Sequence, residues 1–129
     1  MIRNFTIRDG VIFGFPEEID LRGDCELSAV TRIVGPHSAI EMEWKIIGTN
    51  EILRIRFTGV ENFEVRRRDE GYPFESAVTL GVSGFCRQFD NAEADFFVEP
   101  SDEMAYLAFV MDDKSAFLIK ADAGQMQRS

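Results

Sequence analysis

The strongest constraint on the fold is an alternating run between residues 52 and 68, Ile-Leu-Arg-Ile-Arg-Phe-Thr-Gly-Val-Glu-Asn-Phe-Glu-Val-Arg-Arg-Arg. Leu53, Ile55 and Phe57 share one face while Arg54, Arg56 and Thr58 share the other, the period of two expected of a half-buried strand. Gly59 is a place to bend or bulge, after which Phe63 and Val65 resume the apolar set against Glu64 and Arg66. The rest of the chain reads as similar strands packed around these two segments.

Residues 39–47 repeat the pattern. Ile40, Met42, Trp44 and Ile46 alternate with Glu41, Glu43 and Lys45. Glu and Met favour helix, but the spacing of Trp44 and Ile46 favours a strand. Gly48-Thr49-Asn50 then leads straight into residue 52, so the two strands form a hairpin. Glu41 and Glu43 are expected to face Arg54 and Arg56 across it, since opposed charges stabilise register.

Residues 5–8 and 11–13 flank Asp9-Gly10, which supplies the positive φ angles of a type I′ turn and predicts another hairpin. Pro16 ends it, and the polar residues 17–24 read as a loop with at most one helical turn. Residues 25–34 form a strand of imperfect alternation, with Leu27, Ala29 and Thr31 on one face and Val30 on the other. Residues 69–75 read as a loop and 77–85 as a strand in which Gly81 and Gly84 predict a bulge or close backbone approach. Residues 88–94 turn, and 95–99 form a short strand closed by Pro100. Residues 105–111 and 115–120 flank Asp112-Asp113-Lys114 as a hairpin whose arms are apolar enough to be central. Asp112 and Asp113 are read as turn formers.

About nine or ten short strands without a convincing helix predict an all-β fold, an antiparallel two-sheet sandwich or a flattened barrel. The expected organisation is one domain over residues 1–121 and a flexible tail over 122–129. An apolar fraction of 45% with twelve phenylalanines excludes a disordered chain. Acidic residues outnumber basic ones by 23 to 14, a formal charge of −9, so a phosphate backbone would be repelled and a nucleic-acid partner is not expected. A basic partner suits that field, although negative charge also serves solubility by itself. With no leader-like apolar region at residues 1–10 and no run approaching ~20 apolar residues, no membrane span is expected, and the location is read as cytoplasmic. Cys25 and Cys86 lack a Cys-x-x-Cys spacing and are read as free, buried thiols.

Nothing in the sequence carries a catalytic signature, and a non-enzymatic protein is expected. The one histidine, His37, has Ser38 beside it, but adjacent residues seldom face each other and no Gly-x-Ser-x-Gly elbow exists. Cys25, Cys86 and His37 lack the paired spacing of a zinc site. Asp90, Glu93 and Asp95 are clustered oxygen ligands without the glycine and terminal glutamate of a calcium loop, so no metal or cofactor is assigned. Tyr72, Phe74 and Phe85 lie at or beside expected loops, where rings stack on sugars, anchor a protein partner or fold back onto the core.

The run at 53–63, Leu-Arg-Ile-Arg-Phe-Thr-Gly-Val-Glu-Asn-Phe, with the later Gly84-Phe85, resembles the strand-and-turn texture of small bacterial β-sandwich domains, including immunity proteins of polymorphic toxin systems. The resemblance implies a protein that neutralises a toxin by occluding its active site, and acidic charge would steer it towards a basic nuclease. The expected function is therefore protein binding, with Glu41, Glu43, Asp90, Glu93, Asp95, Tyr72 and Phe74 as candidate contacts. The alternative is a small-molecule or carbohydrate-binding module that uses the loop aromatics, with or without Ca²⁺. Self-association through a sheet edge is a further expectation.

Overall fold

The computed structural model describes residues 1–8, 11–13, 18–67, 79–86 and 106–129, with Arg8, Ile12 and Phe13 described by their backbone alone. Among these residues the elements are β1 (Ile2–Arg3), β2 (Thr6–Arg8), β3 (Val11–Phe13), β4 (Ile19–Asp20), α1 (Leu21–Asp24), β5 (Cys25–Ile33), β6 (Ala39–Ile46), β7 (Ile52–Arg66), β8 (Leu80–Cys86), β9 (Tyr106–Met111) and β10 (Ala116–Arg128). A seven-stranded sheet runs in the order β5-β6-β7-β10-β9-β8, with β1 parallel to β10, and a three-stranded sheet runs β2-β3-β4. The all-β expectation holds. The sandwich is not reproduced as such: the described residues set one large curled sheet against a small one. Among them no helix is long and apolar enough to cross a membrane.

The alternating run is β7, bonded to β6 on one side and to β10 on the other. Its odd positions Leu53, Ile55 and Phe57 are fully buried and stand opposite Trp44, Met42 and Ile40 of β6, the hairpin register expected from the sequence. Trp44 reaches Phe109 of β9, with ring centroids 6.0 Å apart, although β7 and β10 lie between those strands. Only a sheet curled into a half-barrel brings the two rings together, and the core fills its concave side.

The curl is built by local irregularities that the glycines foreshadow. Lys120 faces Asn62 while Ala121 faces Val60, so Glu61 is an extra residue on β7, a β-bulge that increases the local twist. Just before it Gly59 has φ +60°, and a Cβ there would stand 2.3 Å from Oδ2 of Asp122 and 2.8 Å from its Cβ. Past Thr58, where β6 ends, β7 continues along β10 alone. Phe63 remains packed on the core there, but Val65, expected in the apolar set, is 59% exposed. A second bulge explains the imperfect alternation of β5. Leu27 pairs with Trp44 and Ala29 with Glu43, leaving Ser28 as the extra residue. Val30 thereby moves to the core face opposite Met42, while Ala29 and Thr31 go to the other face, which corrects the facing read from the sequence. Gly81 marks the third bulge, between Leu80 opposite Met111 and Val82 opposite Val110.

The amino-terminal hairpin has the predicted register, with Arg8 opposite Val11, and its two turn residues lie outside the described residues. Asp20 caps the single turn α1, its Oδ1 accepting from the amides of Arg22 at 2.9 Å and Gly23 at 3.1 Å. Phe5, Ile7, Ile19 and Leu21 enter the main core, and this segment lies against both edge strands, α1 on β5 and β8 and β2 on β8.

Residues 122–129 are not a flexible tail. They are the second half of β10, paired with β7 from Ala123 opposite Thr58 to Arg128 opposite Leu53, with Met126 and Gly124 buried. Few of these side chains are apolar, which is why the sequence undersells them, but backbone pairing on both sides compensates. On the outer side β1 pairs at Ala123 and Gly124, and the Asn4 amide then imitates a strand, donating to Met126 O at 3.1 Å and accepting from Met126 N at 2.9 Å. The 105–120 hairpin is central as expected. Asp113 Oδ1 accepts from the Ser115 amide at 2.9 Å, and Lys114 adopts φ +69°. Both faces of β9 are buried: Leu107, Phe109 and Met111 belong to the main core, while Ala108 and Val110 join Cys86, Ala116 and Leu118 in a second cluster.

Candidate functional site

The face of the sheet opposite the core carries a ladder of charge. Even positions of β7 point there, so Arg54 and Arg56 stand across from Glu43 and Glu41 of β6. Arg54 Nε lies 3.0 Å from Glu43 and 3.3 Å from Glu41, and Arg56 reaches Glu41 at 3.8 Å. The cross-strand pairing expected from the sequence is present, and Glu41 and Glu43 therefore present a neutralised ladder rather than a bare acidic patch. Asp90, Glu93, Asp95, Tyr72 and Phe74, the other expected contacts, lie outside the described residues.

Beside this ladder runs β5, an edge strand. Among the described residues its outer side has no strand partner, and Glu26, Ser28, Thr31 and Arg32 are exposed along it. Val34, just beyond, is 84% exposed. The chain then turns through His37, also exposed, to Ser38 at the start of β6. No hydrogen bond joins His37 to Ser38 among the described residues, and no three His, Cys, Asp or Glu side chains there converge as a metal site would require.

Where β7 leaves β6, a cleft of about 120 Å³ opens on the core side, lined by Arg32, Ser38, Ala39, Ile40, Val60, Glu61, Asn62 and Phe63. Arg32 is directed there because its register partner is Ile40, a core residue. Glu61 is the bulged residue and pairs with Lys120 Nζ at 3.5 Å; Asn62 Nδ2 donates to the Tyr106 hydroxyl at 3.0 Å. Sequence reasoning missed this site because it depends on two bulges, at Ser28 and Glu61. The available signal was Arg32, which a strict alternation from Leu27 would have sent to the opposite face.

Phe85, expected at or beside a loop, sits in β8 at 4% exposure with the Arg3 guanidinium carbon 4.6 Å above its ring. Burial lowers the proton affinity of Arg3. Arg3 Nε and Nη1, Trp44 Nε1 and Ser83 Oγ are buried without a hydrogen-bond partner among the described residues. Cys25 and Cys86 are free and buried, and the Cys25 thiol is pushed up to about 11, by burial first and by the Asp24 and Asp20 carboxylates second. Such a thiol is a poor nucleophile at neutral pH. No protein-family model, curated protein or solved structure matches this chain.

Proposed function

We propose that the chain is a non-enzymatic protein-binding domain that takes a partner along the outer edge of β5 and the charged face beside it. The observation that carries this reading is the nine-residue edge strand itself, bonded on one side only among the described residues and exposed at Glu26, Ser28, Thr31 and Arg32. An unpaired edge is a template for an added strand, and the Glu41–Arg54–Glu43 ladder offers charged side chains for selecting the partner. The net charge of −9 favours a basic partner by steering, and neutralisation of a basic toxin is the specific form of the proposal. The same reading takes the architecture as a flattened, partly closed barrel, supported by the Trp44–Phe109 contact across the curled sheet and by the packing of α1, which leads into β5, on β8 at the other edge.

The test is capture of a purified basic partner at low and high salt by the wild type and by Thr31→Pro and Arg32→Pro. Successive strand residues direct their amides to opposite sides, so one proline breaks the ladder to β6 while the other removes only an outward donor. Thermal unfolding identifies the fold-preserving variant, and Arg32→Gln controls for lost charge. Loss of capture in that variant alone supports the edge-strand reading. Undiminished capture refutes it.

A further inference from the structure

We propose that the core side of the sheet at β1 and β8 binds a small oxyanion, a carboxylate or phosphate group, with Arg3 and Ser83 as its donors. β1 is set against the usual logic of burial. Ile2 is 82% exposed, while Arg3 stands opposite Gly124 of β10, on the side where an added Cβ would meet Phe57 Cδ1 at 3.2 Å and Met1 Sδ at 3.4 Å. A slip of one residue would reverse the two side chains. Asn4 opposes that slip, because its amide group bonds both the carbonyl and the amide of Met126. The register is thus held with the arginine inward.

An inward arginine calls for a negative partner. The chain has 23 acidic residues, yet no described carboxylate pairs with Arg3, and its Nε and Nη1 are buried without an acceptor among the described residues. Phe85 lies 4.6 Å from the guanidinium carbon, a cation–π contact that recovers only part of the lost hydration. Nη2 is not among the buried atoms, so the guanidinium is open to a ligand from that end. Ser83, 1% exposed, stands opposite Phe109 as Phe85 stands opposite Leu107, so both project to the core side of β8, about 7 Å apart along the strand. The Ser83 hydroxyl also lacks a partner among the described residues. Two hydrogen bonds of about 3 Å each, with the width of an oxyanion between them, span donors at that spacing. Such a ligand supplies a counter-charge for the guanidinium and an acceptor for the hydroxyl together. The site lies at the β8 end of the sheet order and β5 at the other, so it stands or falls independently of the edge-strand reading.

The experiment is a titration of the 15N-labelled full chain with sodium phosphate and, separately, with sodium acetate, at an ionic strength held constant by sodium chloride. Saturable shifts of the Arg3 Nε–H signal and of the Ser83, Gly84 and Gly124 amides are expected with one anion or both. The Kd is expected on the order of millimolar, because the net charge of −9 opposes anions. The two arms tell which group the site prefers. Arg3→Met should weaken binding at least about tenfold, and Ser83→Ala about threefold. In chloride alone Arg3→Met should unfold at the wild-type temperature or above it, because an apolar chain of similar length replaces an uncompensated charge. A merely structural arginine predicts the reverse, a lower Tm with an unchanged response to anions. No saturation by either anion up to about 100 mM overturns the proposal. So does equal binding by either variant, or a lower Tm of Arg3→Met in chloride.

Discussion

Gly59→Ala is expected to damage the fold out of proportion to the methyl group it adds. Two effects act at this position, and the structure separates them. The backbone sits at φ +60°, where an L side chain is disfavoured by about 1–2 kcal/mol, partly offset by about 0.4–1 kcal/mol from the stiffer unfolded chain. The added Cβ would also meet Asp122 at 2.3 Å from Oδ2 and 2.8 Å from Cβ. The carboxylate can rotate away, but the Asp122 Cβ moves only with β10. Displacing it resembles overpacking, at about 1–3 kcal/mol. Together the two effects predict a loss of about 1–4.5 kcal/mol, or roughly 3–18 °C in Tm for a domain of this size. The assay is chemical and thermal unfolding of Gly59→Ala, Asp122→Gly and the double variant. Removing the Asp122 side chain relieves the collision but not the φ strain, so the double variant should recover about 1–3 kcal/mol relative to additivity. A loss below about 0.5 kcal/mol in Gly59→Ala, or additivity within about that margin, would refute the account.

Further tests reach other parts of the molecule. Trp44→Ala should lose about 3–5 kcal/mol, because the side chain is fully buried against Phe109; the single tryptophan of the wild type should emit at short wavelength and resist iodide quenching. Truncation after Ala121 should abolish cooperative unfolding, read by calorimetry, since it removes Met126 and the ladder from Ala123 to Arg128. The Cys25 thiol binds its proton more tightly in the folded chain than in the unfolded one, so its contribution to stability is complete below pH ~9 and declines as pH rises towards about 11. Denaturation curves of wild type and Cys25→Ala should therefore converge over that interval, and parallel curves would reject the assignment. A double-mutant cycle on Arg54 and Glu43 should return no more than about 1 kcal/mol, falling with salt, because both side chains are partly exposed.

Regular alternation was the legible part of this chain. β6 and β7, their hairpin, their register and the glutamate–arginine ladder follow from period-two spacing, and the Asp113 turn and the Gly81 bulge follow from residue chemistry. What escaped was set by irregularity and by backbone. At Ser28 one extra residue moves Val30 and Arg32 to the core side, and no composition rule marks Ser28 as the extra one. Residues 122–129 look polar and frayed because their stability comes from main-chain pairing with β7 and β1, which side-chain hydrophobicity does not register. The cleft was invisible for the same reason, since two bulges far apart in sequence create it.

The position of β10 has a consequence for the order in which the fold can assemble. It lies between β7 and β9 and is the last of the described strands to be made. During synthesis, β5, β6 and β7 can pair among themselves as neighbours, but β8 and β9 have no route into that sheet until β10 exists. β1 waits long as well: its partner is separated from it by about 120 residues, a long closure. Until then β7 presents its free side, an exposed strand of fifteen residues with Leu53, Ile55 and Phe57 uncovered, to whatever else is near. The nascent chain is thus most vulnerable to misassembly just before β10 emerges, and a chaperone that shields strand edges would act in that window.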